Sequence, residues 1–145
     1  MIKDVILKEG IDLNLQVESK SDLFYKMATV LYENNKIDNI DSFVTTLNNR
    51  EKEGCTGMGS GIAIPHGKST VVKEPTVLFS RLSKGIEYES LDDEPVNMIF
   101  MIAVPENSNN THLKMISELA RKLMHKEFIQ SLLSATSRDD IINLL

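Results

Sequence analysis

Cysteine is nearly missing from this chain: Cys55 is the only one among 145 residues. A lone thiol excludes an internal disulfide and is compatible with a reducing compartment. No cluster of lysine and arginine exists and the net charge is −5, which argues against a nucleic-acid partner. No apolar run approaches the roughly 20 residues that cross a bilayer, so direct membrane insertion is not expected. The start, Met1-Ile2-Lys3-Asp4, lacks the long apolar segment of a signal peptide. A cytoplasmic protein is the simplest expectation. Repeats, low-complexity stretches and linker-like composition are also absent, so nothing divides residues 1–145, and one domain is the natural reading. A domain of this size can bury about 68–70% of the surface of its unfolded chain.

What is present reads as alternating helices and strands. Val5 to Leu15 is apolar with breaks at Lys8-Glu9-Gly10, which predicts one or two short strands. Ser19 to Asp22 supplies capping groups for a helix that carries Leu23, Met27, Val30 and Leu31 on one face and ends near Asn34-Asn35. Asp41-Ser42 opens a second helix, running to Arg50 or Glu53. Ile62–Ile64, Val77–Leu82 and Val96–Val104 read as strands; the last is almost continuously apolar and so belongs in the middle of a sheet, with Pro105 ending it. Ser108 to Thr111 offers caps for a third helix to Met124, followed by helical stretches at Glu127–Leu133 and Ser137–Leu144. The expected fold class is α/β, a single-domain sandwich with a mixed central sheet and helices on both faces.

One segment stands out. Gly57-Met58-Gly59-Ser60-Gly61 leads through Ile62-Ala63-Ile64 to Pro65-His66-Gly67. Proline fixes its own φ and glycine puts no Cβ beside the ring, so His66 reads as a side chain presented at a strand end, or as an ordinary histidine at a strand-to-turn junction. The other two histidines separate by helix geometry. At about 100° per residue, Ile116, Leu119 and Leu123 lie about 40°, 340° and 20° from His112, whereas His125 lies about 220° away. His112 therefore shares the apolar stripe, either as a satisfied core histidine or facing a site at the sheet's C-terminal edge, where open α/β sheets hold ligands. His125 falls on the far side at the helix end, with at most a mild interaction with the helix dipole.

Other chemistries find little support. Cys55, His66 and His112 could be imagined around zinc, but no short Cys-x-x-Cys or His-x₃-His pair exists, so no metal is expected. Cys55 has no nucleophile motif around it. Lys68-Ser69 after Gly67 is misplaced for a phosphate-binding P-loop, and no cofactor is expected.

The segment from Met58-Gly59 through Ile62-Ala63-Ile64-Pro65-His66-Gly67, with Asn48-Asn49-Arg50-Glu51 and Thr56-Gly57 before it, resembles the signature of the fructose/mannitol type of enzyme IIA of the bacterial phosphoenolpyruvate-dependent sugar phosphotransferase system. Ser90-Leu91-Asp92, Phe100 to Glu106 and Asn110-Thr111-His112-Leu113 extend the likeness over essentially the whole chain. The resemblance implies a phosphoryl relay. The carrier HPr would phosphorylate His66 as a tele-phosphohistidine, and a cysteine of a IIB domain would receive the group, beside a membrane IIC component that admits the sugar. His112 would support His66, Arg50 would offer a planar cation to the phosphoryl oxygens, and Thr56 would add a hydrogen bond. Arg50 could instead pair with Glu51 or Glu53, and Thr56 could serve turn chemistry alone. Met58, Ile62 and Pro65 would form an apolar patch around His66 for docking, or belong to the core. Gly85 to Asp92 and Phe100 to Pro105 look most like fructose-specific members. A nitrogen-type regulatory member, signalling through its phosphorylation state, is the main alternative; a domain in which His66 and His112 hold a metal or an anion is the other.

Overall fold

In the computed structural model, which describes Met1–Leu145, the apolar run after Pro95 is the axis of the molecule. It forms a ten-residue strand, Val96–Pro105, in which every residue from Met98 to Val104 is buried. Strand geometry sends successive side chains to opposite faces. Accordingly Ile99, Met101 and Ala103 enter one core, and Met98, Phe100, Ile102 and Val104 enter the other.

In chain order the elements are α1 (Ile2–Val5), a 3₁₀ turn (Lys8–Gly10), β1 (Asp12–Leu15), α2 (Lys20–Glu33), α3 (Ile40–Glu53), β2 (Gly57–Gly59), β3 (Ile62–Ala63), β4 (His66–Ser69), β5 (Thr76–Ile86), β6 (Val96–Pro105), α4 (Thr111–Leu123), α5 (Lys126–Ser134) and α6 (Arg138–Leu144). The sheet runs β1-β5-β6-β3-β2, with β4 also paired to β6. The β5–β6 and β2–β3 pairs are antiparallel, and the β1–β5, β3–β6 and β4–β6 pairs are parallel. The sheet is thus mixed. Helices α2 and α3 pack on one face with Phe24, Leu31 and Phe43; α4, α5 and α6 pack on the other with Met115, Leu119, Leu132 and Ile141. This is the expected sandwich.

Local chemistry accounts for most boundaries. Ser19 Oγ accepts from the Asp22 amide to start α2. Asn39, two residues earlier than the expected Asp41, caps α3 by accepting from the Ser42 amide. Ser137 does the same for α6, and Asp140 reaches back to the Thr136 amide. The N-terminal segment holds one strand, Asp12–Leu15, within the one or two expected, with Ile2–Val5 helical before it and a single bridge from Ile6 to Val77. Other details add to the reading or correct it. Gly57–Gly59 forms a strand that pairs with β3 across the two-residue turn Ser60-Gly61, both at positive φ (57° and 80°), the requirement of a type I′ hairpin. His66 opens a strand and does not end one, because Pro65 breaks β3 from β4. Helix α4 starts at Thr111 with no side-chain cap from Asn110.

Candidate functional site

His66 is the first residue of β4, level with Ile102 of β6, and the Ile102 amide donates to the Pro65 carbonyl at 2.9 Å. Its backbone is thereby pinned to the central strand. Both ring nitrogens have partners, and the partners decide the tautomer. Nδ1 lies 3.0 Å from the Ile64 carbonyl, which can only accept, so Nδ1 carries the proton. Arg50 Nε, which can only donate, lies 3.0 Å from Nε2, so Nε2 presents a lone pair. Burial, above all, and the Arg50 cation hold the His66 pKa below the ordinary histidine value. A neutral imidazole with Nε2 as its nucleophilic atom is therefore the resting state near neutral pH.

Arg50 comes from the last turn of α3, and Gly67 explains how it reaches the ring. A Cβ on Gly67 would lie 3.0 Å from both Phe43 Cε1 and Thr46 Cγ2 of α3. The bare glycine lets α3 lie close against β4. Arg50 also donates to the Gly54 carbonyl at 2.8 Å, which aims the guanidinium. It pairs with neither Glu51 nor Glu53.

His112, second residue of α4, brings its ring to 6.2 Å from that of His66, centroid to centroid. It is half-buried, and its Nδ1 is buried with no partner. Burial and then the nearby Lys68 cation lower its pKa. The two histidines, Arg50 and Lys68 line one open cavity of about 670 Å³, with Asn49 and Glu53 at its side. Lys68 did not stand out in the sequence as a site residue. The signal was there in period 2: Lys68 is two residues beyond His66, so a strand starting at His66 puts both on one face.

Thr56 is elsewhere. It is buried, its hydroxyl bonded to the Glu51 carboxylate and 2.6 Å from the Tyr88 hydroxyl, and it does not line the cavity. Tyr88 also donates to Glu51 at 2.9 Å. Burial, and then the Glu51 charge, push the tyrosine pKa up. The network ties the end of α3 to the connection before β2 and to the one after β5. Of the expected docking patch, Ile62 and Pro65 are buried, because Ile62 pairs with Met98 and the Pro65 carbonyl is a sheet acceptor. Met58 is 37% exposed, and it shares a shallow apolar cavity with Leu123, Met124 and Ile129 instead. Cys55 is a free, half-buried thiol, and His125 is exposed between α4 and α5.

The comparisons with known proteins agree with one another. The family model described as "Phosphoenolpyruvate-dependent sugar phosphotransferase system, EIIA 2" matches residues 4–145. The PTS system fructose-specific EIIABC component of Bacillus subtilis is 40% identical over 144 residues, covering 99% of this chain, which spans only 23% of that longer protein. The fructose-like EIIA component of Escherichia coli is 40% identical over 135 residues, covering 93% of this chain and 90% of that one. Among solved structures, the nitrogen regulatory protein IIA-Ntr from Neisseria meningitidis superimposes with a TM-score of 0.91 at 33% identity, covering 99% of this chain and 97% of that one.

Proposed function

The chain belongs to the EIIA type 2 family of the phosphoenolpyruvate-dependent sugar phosphotransferase system, a family of phosphocarriers, and from that membership we propose that His66 is the residue that carries the phosphoryl group. The observation that carries the reading is the fixed tautomer of His66. With the proton held on Nδ1 by the Ile64 carbonyl, Nε2 keeps its lone pair, which accepts from Arg50 until a phosphoryl group takes its place. The donor is phospho-HPr. Its P–N bond breaks as the P–Nε2 bond forms, the donor ring takes back its electron pair, and no proton needs to leave His66. Transfer of this kind asks for in-line positioning and charge stabilisation more than for acid–base chemistry. Arg50 cannot donate to a phosphorylated Nε2, so its N–H groups turn to the phosphoryl oxygens as the new bond forms. His112, across the cavity, is the supporting donor. Thr56 acts at one remove, through Glu51.

The onward acceptor is the cysteine of a IIB domain, and the sugar is fructose. Support comes from the two relatives at 40% identity, whose names specify fructose or a fructose-like system. One observation favours a second reading, regulation by phosphorylation state: the strong likeness to a nitrogen regulatory IIA structure.

The test is reconstitution. Incubation with phosphoenolpyruvate, enzyme I and HPr adds one acid-labile phosphoryl group by intact mass, and His66→Ala abolishes it. Labelled protein then loses the group to a purified fructose-type IIB domain. Label that stays on the protein in the presence of that domain favours the regulatory reading. An unlabelled wild type beside phosphorylated HPr overturns the assignment.

A further inference from the structure

Lys68 is a cation without a counter-charge. No carboxylate lies within ion-pair distance, and its one partner is the Asn109 carbonyl, 2.9 Å from Nζ. Arg50 is likewise unpaired by any carboxylate, so the cavity holds two permanent positive charges and two imidazoles against the single carboxylate of Glu53. An exposed ammonium on a neutral carbonyl makes a weak contact that a dianion will outcompete. Asn109 sits in the loop that leads into α4, and it holds a left-handed φ of 57°. The Lys68 contact therefore fastens that loop to the strand that begins with His66.

Resting on the reading of His66 as the phosphoryl acceptor, we propose that Lys68 is the second cation of the transfer site and that it changes partner with the state of His66. In the unphosphorylated protein Nζ holds the Asn109 carbonyl. When phosphorus bonds to Nε2, Nζ turns to a phosphoryl oxygen and lets the loop before α4 go. No bond other than those of the transfer itself is made or broken, and the ammonium stays protonated throughout. Lys68 thus stabilises the phosphorylated state and also marks it on the surface next to the site.

The experiment compares wild type, Lys68→Met and Lys68→Arg. The first reading is the fraction phosphorylated at equilibrium with phospho-HPr. The second is the NMR signals of Lys68 Nζ and of the Asn109 carbonyl carbon with and without the phosphoryl group. Loss of one charge-assisted contact predicts an equilibrium about tenfold less favourable in Lys68→Met; the arginine variant stays within about threefold of wild type, since it keeps the charge. In wild type, phosphorylation moves both the Lys68 Nζ and the Asn109 carbonyl signals; the Asn109 change reports release of the loop, is absent in Lys68→Met, and would not arise from a lysine that keeps its partner. Labelled His66 with an unmoved Asn109 signal, or a wild-type equilibrium in Lys68→Met, overturns the proposal and leaves the acceptor assignment standing. Failure of wild-type His66 to take label at all removes both.

Discussion

One hydrogen bond, from Arg50 Nε to His66 Nε2, both aims the ring and obstructs it. Replacing Arg50 by glutamine removes a cation that holds the His66 pKa down. The His66 titration then moves up in pH, and the acid limb of the transfer rate moves up with it, because more of the ring is protonated at a given pH. The maximal rate falls by about 10²-fold, the scale of losing one preorganised group from a site of developing charge. NMR titration of the ring, alongside rates from pH 5 to 8, checks both; a titration that stays put or moves down refutes the electrostatic account. At this scale the sequence was informative about types and poor about neighbours. The 100° rule placed His112 on the inward stripe, yet nothing in residue spacing could show that Thr56 bonds to Glu51 and Tyr88, a contact made across 32 residues. Lys68 was legible only to a reader who already knew that a strand begins at His66.

Among elements, Arg81 of β5 fastens three at once. Its guanidinium donates to the carbonyls of Leu13 in β1, of Leu132 and Leu133 in α5, and of Ala135 just beyond it, at 2.9 to 3.1 Å. It closes the C-terminal end of α5 and ties that helix to the sheet. Arg81→Met leaves these partly buried acceptors without their donor. A loss of about 2–3 kcal/mol is expected, or roughly 5–10 °C in melting temperature for a chain of this size. Labelling of His66 at 25 °C is expected to be unchanged, since Arg81 is not among the residues that line the cavity. Calorimetry with the labelling assay checks this, and a melting temperature within a degree of wild type would sink it. Long apolar elements such as β6 and α2 were readable because one face or both are buried over many residues. The short β2 and β4 were not: three or four residues such as Gly57-Met58-Gly59 or His66-Gly67-Lys68-Ser69 carry no hydrophobic alternation, and their pairing is decided by β6 and by the turn at Ser60-Gly61.

For the molecule as a whole, two histidines have pKa values lowered on folding. The unfolded chain, with ordinary values near 6.5, takes up protons first as pH falls. Their contribution to stability is complete above about pH 6.5 and is lost progressively below it, down to the folded-state values. The melting temperature should therefore fall between pH 7 and pH 5.5, and fall less in the double variant His66→Asn, His112→Asn. Equal slopes in the two proteins would count against it. The same whole-molecule view gives the β4–β6 pairing a further meaning. Strand β4 has one strand neighbour, and that neighbour is made later in the chain. Arg50 and His112 approach from helices on opposite faces of the sheet. The site therefore needs the sheet and both helical layers in place at once. If His66 is the acceptor, a chain that lacks either helical layer is expected to accept phosphoryl groups poorly, because Arg50 and His112 then have no fixed place beside it.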